Sequence, residues 1–289
     1  HLKTMIAFGS RKNGIIRTWK LNAPPATAVI SRRPAANGVG DFSFNGDYFC
    51  SGTGTNLIQL WDMTKGKVSF TETNEADTGL VLNFIAMHPT ADIVSCVVEG
   101  KTVRSWDLAN GKLINELSLT EGFDEKEVWM SWAADGSRFA CSSDSLVRTY
   151  KPNGELLARI ETNSTTRPIF VSAGSTICTL DRDDEMIKSW NSETGEQILE
   201  LAIPDCISMN VDSTYDALSV GTYQGKIVLL VPESGEQLGG LNCYSDEVEN
   251  LSFSKDGTLL VSTSDNGKIC MWGSPHALSE LKFMTTAED

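Results

Sequence analysis

The sequence predicts an all-β protein, a seven-bladed β-propeller of four-stranded antiparallel blades. One short pattern recurs seven times, in which a β-branched residue is followed three positions later by an aromatic or apolar residue. The last residues of these copies, called anchors here, lie 40 to 45 residues apart. That period is typical of a propeller blade of four strands. The anchors are Trp19, Trp61, Trp106, Tyr150, Trp190, Leu230 and Trp272.

The repeats occupy nearly all of the 289 residues, so we expect one domain that spans residues 1–289. Forty per cent of the residues are hydrophobic, which is enough to supply a core. The longest apolar runs are strand-sized, far below the roughly 20 residues that a transmembrane helix needs. We therefore expect neither a membrane span nor a signal peptide.

The last repeat shows the strand order of a blade most clearly. Residues Val248–Phe253 alternate apolar and polar side chains, which predicts a half-buried inner strand. A turn at Ser254–Gly257 leads to a second strand at Leu259–Thr263, and Lys268–Trp272 is the predicted third strand. In the repeat that contains Trp61, a further turn leads to an outer fourth strand at Lys67–Thr71.

The two ends of the chain predict an incomplete first blade. Met5–Ser10 matches a second strand and Ile15–Trp19 a third strand, which leaves blade one without an inner strand. Ala277–Met284 is the predicted outer strand of the seventh blade. We expect the missing strand to come from residues before His1; the tail Thr285–Asp289 or another chain is the alternative.

Two repeats carry a Trp-Asp dipeptide, in Leu60-Trp61-Asp62 and Ser105-Trp106-Asp107. With the period, this makes nearly the whole chain resemble the WD-repeat family. The resemblance implies a non-catalytic protein-interaction scaffold, a platform within a larger intracellular complex. The Gly-His dipeptide common in the family is absent, so the family's hydrogen-bond network of His, Ser or Thr, Trp and Asp cannot form in its usual way.

Two other functions stay open as alternatives. The first is an enzyme with its site at the mouth of the propeller channel. The second is a peptide-reading substrate adaptor, which would need a basic or aromatic pocket; the candidates for it are Arg32, Arg33 and Arg167. Ubiquitin-ligase receptors of the family often show Trp-Asp-x-Arg, but Thr64 and Ala109 occupy the arginine position here.

Residues that could carry chemistry are sparse, and we expect no catalytic residue, no cofactor and no metal site. The chain has three histidines, and His88 lies in a turn without a nearby nucleophile motif. Gly52-Thr-Gly54 lacks the third glycine and the helix of a nucleotide-binding loop. The carboxylates of 181–185 lack the glycine and the distal glutamate of a calcium loop, so they predict an acidic hairpin.

The seven cysteines predict free thiols. Cys50, Cys96, Cys141 and Cys178 precede their anchors by 9 to 12 residues, which predicts one shared position on successive second strands. Equivalent positions on neighbouring blades are too far apart for a disulfide, which needs Cα atoms about 4.4 to 6.8 Å apart. Buried free thiols indicate a reducing, intracellular compartment, cytoplasmic or nuclear.

Charge predicts the kind of partner. With 24 Lys and Arg against 38 Asp and Glu, the net charge is −14. Such a chain repels nucleic acid and anionic membranes at long range, so we expect other proteins as partners, with basic segments favoured. The resemblance implies that these partners belong to a multiprotein assembly.

The loops that join each outer strand to the next inner strand share one rim of a propeller, and in this family that rim often receives partner peptides. Two adjacent loops contain seven carboxylates, called the acidic rim below. They are Glu72, Glu75, Asp77, Glu121, Asp124, Glu125 and Glu127. A third loop has Asp246, Glu247 and Glu249, whereas the first has Arg32 and Arg33, so the rim is predicted to be polarised.

Trp129 begins the strand that follows the second acidic loop. We expect it at a position that Asn250 and Asp41 fill in other repeats. An aromatic residue among polar equivalents is a candidate contact with a partner. Burial between blades is the alternative. The predicted partner-binding residues are therefore Trp129, the acidic rim, Arg32 and Arg33, and the predicted occupant is a basic segment.

Overall fold

The computed structural model describes most of the chain and confirms that it is all-β. The described residues are 5–9, 16–20, 28–31, 40–43, 46–53, 57–63, 65, 67–73, 82–98, 102–119, 128–143, 145–163, 167–212, 217–242, 246–254, 257–264 and 268–273. Within residues 5–31, 52–58 and 67–83 the description covers the backbone alone. None of the helices in this part of the chain is long and apolar enough to cross a membrane.

The described residues form 26 strands and one short 3-10 turn at Ser172–Gly174. The strands are β1 (Met5–Gly9), β2 (Ile16–Lys20), β3 (Ala28–Ser31), β4 (Gly40–Phe42), β5 (Tyr48–Thr53), β6 (Leu57–Asp62), β7 (Lys67–Thr73), β8 (Leu82–Met87), β9 (Ile93–Val98), β10 (Thr102–Asp107), β11 (Leu113–Ser118), β12 (Trp129–Trp132), β13 (Phe139–Ser143), β14 (Leu146–Tyr150), β15 (Leu156–Glu161), β16 (Ile169–Val171), β17 (Thr176–Asp181), β18 (Met186–Asn191), β19 (Gln197–Ala202), β20 (Cys206–Asp212), β21 (Ala217–Thr222), β22 (Lys226–Leu230), β23 (Gln237–Asn242), β24 (Val248–Phe253), β25 (Leu259–Ser264) and β26 (Ile269–Gly273).

Each strand pairs antiparallel with the next within a sheet. The sheets that pack face to face in chain order are called blades I to VI here. They are β4–β7 (I), β8–β11 (II), β12–β15 (III), β16–β19 (IV), β20–β23 (V) and β24–β26 (VI). Five of these blades have four strands, whereas blade VI has three in the described part of the chain. Strands β1–β3 form a further three-stranded sheet, of which only the backbone is described.

The prediction of seven four-stranded blades is therefore wrong, because the propeller described here packs six blades of three or four strands. The reason is that the sequence repeat predicts the number of sheets. A sheet is a blade of the propeller only if it buries a face against a neighbouring sheet. Blades I to VI form five interfaces between successive blades, and a separate apolar cluster fills each of them. The predicted outer strand at 277–284 and the proposed closing segments lie outside the described residues.

The anchors lie on the strands that the period predicts, from Trp19 on β2 to Trp272 on β26. Trp106 and Trp190 are 4% and 8% exposed, and each packs in the cluster shared with the preceding blade. The Trp190 indole donates a hydrogen bond to Thr179 Oγ1 (3.0 Å), and that of Trp272 donates to Ser262 Oγ (3.1 Å). The Ser/Thr–Trp part of the family network therefore forms in blades IV and VI.

The four cysteines occupy two positions instead of the predicted one. Cys50 and Cys178 pair with the residue just before the anchor, Leu60 and Ser189. Cys96 and Cys141 pair with the residue two before it, Arg104 and Arg148. Their side chains therefore point to opposite faces of their blades. Turn lengths differ between repeats, so an approximate distance to the anchor could not fix the register.

Candidate functional site at the channel mouth

The six inner strands lie side by side around the propeller axis, because β4, β8, β12, β16, β20 and β24 contact one another in chain order. Pairing through the second strand to the anchor fixes the equivalent positions. On blade III, for example, Trp132 pairs with Phe139, which pairs with Tyr150. We give the name channel-mouth ring to the residues that lie three positions before the equivalent of Trp132 in each blade. Its described members are Phe84, Trp129, Arg167, Ser208 and Asn250.

Arg167 reaches from blade IV to blade II. Its guanidinium carbon lies 5.0 Å from the ring centroid of Phe84, although blade III stands between the two blades. This distance is that of a cation–π contact. The contact shows that side chains from non-neighbouring blades converge at the channel mouth.

Arg167 is solvent-exposed, as expected of a side chain that reaches into an open channel. Burial lowers the pKa of Arg167, and the carboxylate of Asp41 opposes this effect. Burial likewise raises the pKa of Asp41, which Arg167 opposes in turn. Arginine stays protonated nonetheless, so the channel mouth holds a positive charge.

The carboxylate of Asp41 is already engaged by the backbone. Its Oδ1 accepts a hydrogen bond from the Phe42 N–H and its Oδ2 one from the Met87 N–H, both at 2.9 Å. Arg167 acts on Asp41 through charge, and no described residue accepts a hydrogen bond from its guanidinium.

Trp129 is half-buried at the start of β12, where it pairs with Ser142. Its position matches that of Asn250, as predicted, but not that of Asp41. The register instead aligns Asp41 with Ser131 and Asn210, two residues further along the inner strand. Trp129 is thus neither fully buried between blades nor fully exposed, and its role as a contact stays a prediction.

Most of the acidic rim cannot be located. Glu72 lies on β7, of which only the backbone is described. The remaining predicted contacts lie outside the described residues. They are Glu75, Asp77, Glu121, Asp124, Glu125, Glu127, Arg32 and Arg33.

The equivalent loop between blades IV and V is described in full, and it meets the loops between second and third strands of both blades on one face. The Ile203 N–H donates to Glu185 O and the Tyr223 N–H to Asp205 O, each at 2.9 Å. We call this the loop face. Its described carboxylates in blades IV to VI are Asp183, Asp184, Glu185, Asp205, Asp246, Glu247 and Glu249. Against these seven carboxylates stand Arg167, Arg182, Lys226 and Lys268, so the net charge of this part of the loop face is negative.

An aromatic residue is also exposed on the loop face. The side chain of Tyr223 is 49% exposed, and the neighbouring Gln224 donates a hydrogen bond to Asp205 Oδ2 at 2.6 Å. Tyrosine beside carboxylates is a favourable contact for a cationic side chain.

The described residues hold little that could do catalysis. His88 packs on Trp132 with 4.6 Å between ring centroids, and its Nδ1 accepts hydrogen bonds from Thr90 and Ala91. Burial lowers the pKa of His88, so it is a neutral turn residue. Within the described part of the chain, no three His, Cys, Asp or Glu side chains are grouped as a metal site requires.

Sequence reasoning missed the convergence of Arg167, Phe84 and Asp41. It named Arg167 only as a candidate basic group for a peptide-reading adaptor. The three residues are far apart in sequence, and only the register of the inner strands brings them together. The available signal was an arginine three positions before an inner-strand aromatic residue, Phe170, where other repeats have Asn250 or Trp129.

Comparison with known proteins places the repeat in a family. The family model described as WD domain, G-beta repeat matches residues 235–273, which run from β23 to β26. The chain is 26% identical over 145 residues to the small ribosomal subunit protein RACK1y of Oryza sativa subsp. japonica, 48% of this chain and 41% of that protein. It is 28% identical over 178 residues to coronin-7 of Rattus norvegicus, 57% of this chain and 19% of that protein.

A third relative is the WD repeat-containing protein 91 homolog of Dictyostelium discoideum, 30% identical over 93 residues, 32% of this chain and 12% of that protein. The matches thus span less than half the length of these curated relatives. Among solved structures, a chain in the crystal structure of the mitotic checkpoint complex superposes with a TM-score of 0.77 at 14% identity. The match covers 94% of this chain and 84% of that one. This likeness shows the fold.

Proposed function

We propose that the chain, a β-propeller whose last repeat matches the WD-repeat family model and whose relatives are WD-repeat proteins, is a non-catalytic scaffold for protein–protein interaction. Residues 1–289 act as one domain in this proposal. The scaffold works inside a multiprotein assembly in a reducing, intracellular compartment, cytoplasmic or nuclear. The names of two similar proteins, a ribosomal subunit protein and a checkpoint complex, refer to assemblies and support this role.

The proposed docking surface is the loop face, and its partner is a basic segment. The observation that carries this proposal is the charge of the loop face, which holds seven described carboxylates and the exposed Tyr223. The acidic rim would continue the same charge around the face. Coulomb attraction would then speed encounter, and the aromatic contacts at Trp129 and Tyr223 would hold the bound segment.

The experiment compares what the intact protein and a charge-reversed variant retain from native extract. The variant carries Asp124→Lys, Glu125→Lys and Glu127→Lys, next to Trp129. We expect the reversed protein to lose a partner, identified by mass spectrometry, and its association rate with that partner to fall. The loss should shrink at high salt, because screening acts over about 8 Å at physiological ionic strength.

A matched control reverses acidic residues away from the loop face. Glu116→Lys lies on the outer strand β11 and Glu155→Lys in the turn before β15, and both side chains are exposed. These variants should retain the partner. If the loop variant retains every protein that the intact chain binds, the acidic rim only keeps the protein hydrated and the proposal fails.

A further inference from the structure

We propose that Arg167 forms an oxyanion-binding site at the channel mouth that takes one carboxylate or phosphate group of a docked peptide. Phe84 holds the guanidinium from blade II, and no described residue uses its hydrogen-bond donors. This inference rests on the proposed docking face, since the acidic loops would bind the basic residues on either side of that anionic group.

The surroundings of Arg167 favour the binding of an oxyanion. Nearby protein atoms, with the ring of Phe84 among them, partly desolvate the exposed guanidinium, so an ion pair made there is less weakened by water than one on an open surface. The planar guanidinium has five N–H donors and can bind both oxygens of a carboxylate or phosphate. The cation–π contact with Phe84 leaves the edges of the guanidinium, where these donors lie, available.

Asp41 does not occupy the site, although its charge is near. Both of its oxygens accept backbone hydrogen bonds, from Phe42 and Met87, and these bonds fix the carboxylate to the inner strands of blades I and II. It offsets part of the positive charge of Arg167 without using its donors. The site therefore suits a single oxyanion and disfavours a large polyanion.

The charge of the whole loop face further restricts the chemical class of ligand that can bind at Arg167. A free anion would be repelled at long range by the net charge of −14 and by the carboxylates of the loop face. An anionic side chain within a basic segment avoids this, because its neighbours are attracted. The inferred ligand is therefore a basic peptide with one acidic or phosphorylated residue.

The test uses three blocked peptides with four lysines, in which the central residue is glutamate, glutamine or phosphoserine. Affinities are measured by titration calorimetry for the intact protein and for Arg167→Gln. We expect the glutamate peptide to bind the intact protein roughly five- to twentyfold more tightly than the glutamine peptide, as a charge-assisted pair would give. The ratio should fall to about one in Arg167→Gln. The central residue with the larger gain, glutamate or phosphoserine, identifies the source of the oxyanion.

Three variants separate recognition from folding. Arg159 is an exposed arginine on β15, and Arg159→Gln should leave the ratio of the affinities for the glutamate and glutamine peptides unchanged. Arg167→Lys keeps the charge beside Asp41 and should keep the melting temperature, but its ratio should fall because lysine lacks the planar fork. Phe84→Leu should reduce the ratio by freeing the guanidinium. An equal ratio in the intact protein and Arg167→Gln would overturn the inference while leaving the docking face intact.

If none of the peptides binds, the proposed docking face fails, and inorganic phosphate tests the arginine alone. The Nε–Hε signal of Arg167 is then followed by NMR during titration, with the signal of Arg159 as reference. A saturable shift confined to Arg167 supports the site. A shift that does not saturate, or that Arg159 shares, overturns it.

Discussion

Asp41 on the inner strand of blade I accepts a hydrogen bond from the Met87 N–H on the inner strand of blade II, at 2.9 Å. Blade V repeats the arrangement, since Asn210 Oδ1 accepts the Phe253 N–H of blade VI at 3.3 Å. The two acceptors occupy the same register position. An Asx side chain there therefore joins neighbouring blades next to the channel.

Removal of this acceptor should loosen the contact between blades I and II. Asp41→Ala leaves the N–H groups of Met87 and Phe42 without their partner, which costs about 1 to 3 kcal/mol of unfolding free energy. Asp41→Asn, which copies blade V, should cost less. Urea titration measures both, with the exposed Asp92→Ala as the control. Equal stability of Asp41→Ala and the intact protein would refute the role of this bond.

The same residue should make stability depend on pH. Burial raises the pKa of Asp41 above its ordinary 3.8, so the folded protein binds this proton more tightly than the unfolded chain. Its contribution is complete below 3.8 and is lost as the pH rises through the folded pKa. The stability of the intact protein relative to Asp41→Asn should therefore fall over that range and then level off. A difference that rises with pH would contradict the burial argument.

The anchors could be predicted well from the sequence, because each needs only a period and an apolar residue that packs on the preceding blade. Register could not. Cys50 and Cys96 precede their anchors by 11 and 10 residues, and this difference of one places them on opposite faces of their blades. The turn between second and third strands also differs in length, since Phe139 and Ile177 precede the anchors with which they pair by 11 and 13 residues. The number of packed blades was also overestimated, because the repeat on β2 counts as a sheet before any packing is known.

The contacts at the channel mouth could not be predicted from the sequence either, for a related reason. Arg167, Phe84 and Asp41 belong to different repeats, and nothing local to any of them indicates the others. Trp129 was recognisable as unusual because it stands where Asn250 stands in another repeat. Long-range pairing alone brings Arg167 over Phe84.

The buried anchors should carry much of the stability. Trp190→Ala removes a large side chain from the interface of blades III and IV and should cost about 3 to 5 kcal/mol. Thr179→Val removes only the acceptor of the indole N–H, so its cost should be smaller, about 1 to 3 kcal/mol. Denaturant unfolding measures both. An unchanged midpoint for Trp190→Ala would contradict the blade packing.

The thiols should all be free and mostly unreactive in the folded protein. None of the six cysteines of the described residues forms a disulfide, and five of them are buried. Burial raises the pKa of Cys178 to about 12 and of Cys206 to about 11, so little thiolate forms near neutral pH. Denatured protein without reductant should titrate seven thiols. A lower count would reveal a disulfide, and Cys50 with Cys96, which share one cluster, would be the first pair to examine.

Trp129 should determine how long a partner stays bound on the loop face. Its side chain is half-buried in the channel-mouth ring, beside the segment that contains Asp124, Glu125 and Glu127. If it supplies the desolvated centre of the contact, Trp129→Ala should raise the dissociation rate of the partner that charge reversal releases, roughly tenfold or more for a hot-spot residue. The association rate should change little, because the surrounding charge is kept.

The control for Trp129 is Leu238→Ala, an exposed apolar residue on the outer strand β23, which should leave both rates unchanged. Melting temperatures of the two variants must match that of the intact protein, so that a change in rate reports contact and not loss of fold. Surface plasmon resonance with the purified partner gives both rates. If Trp129→Ala slows association instead and leaves dissociation unchanged, the tryptophan shapes the loop face without touching the partner.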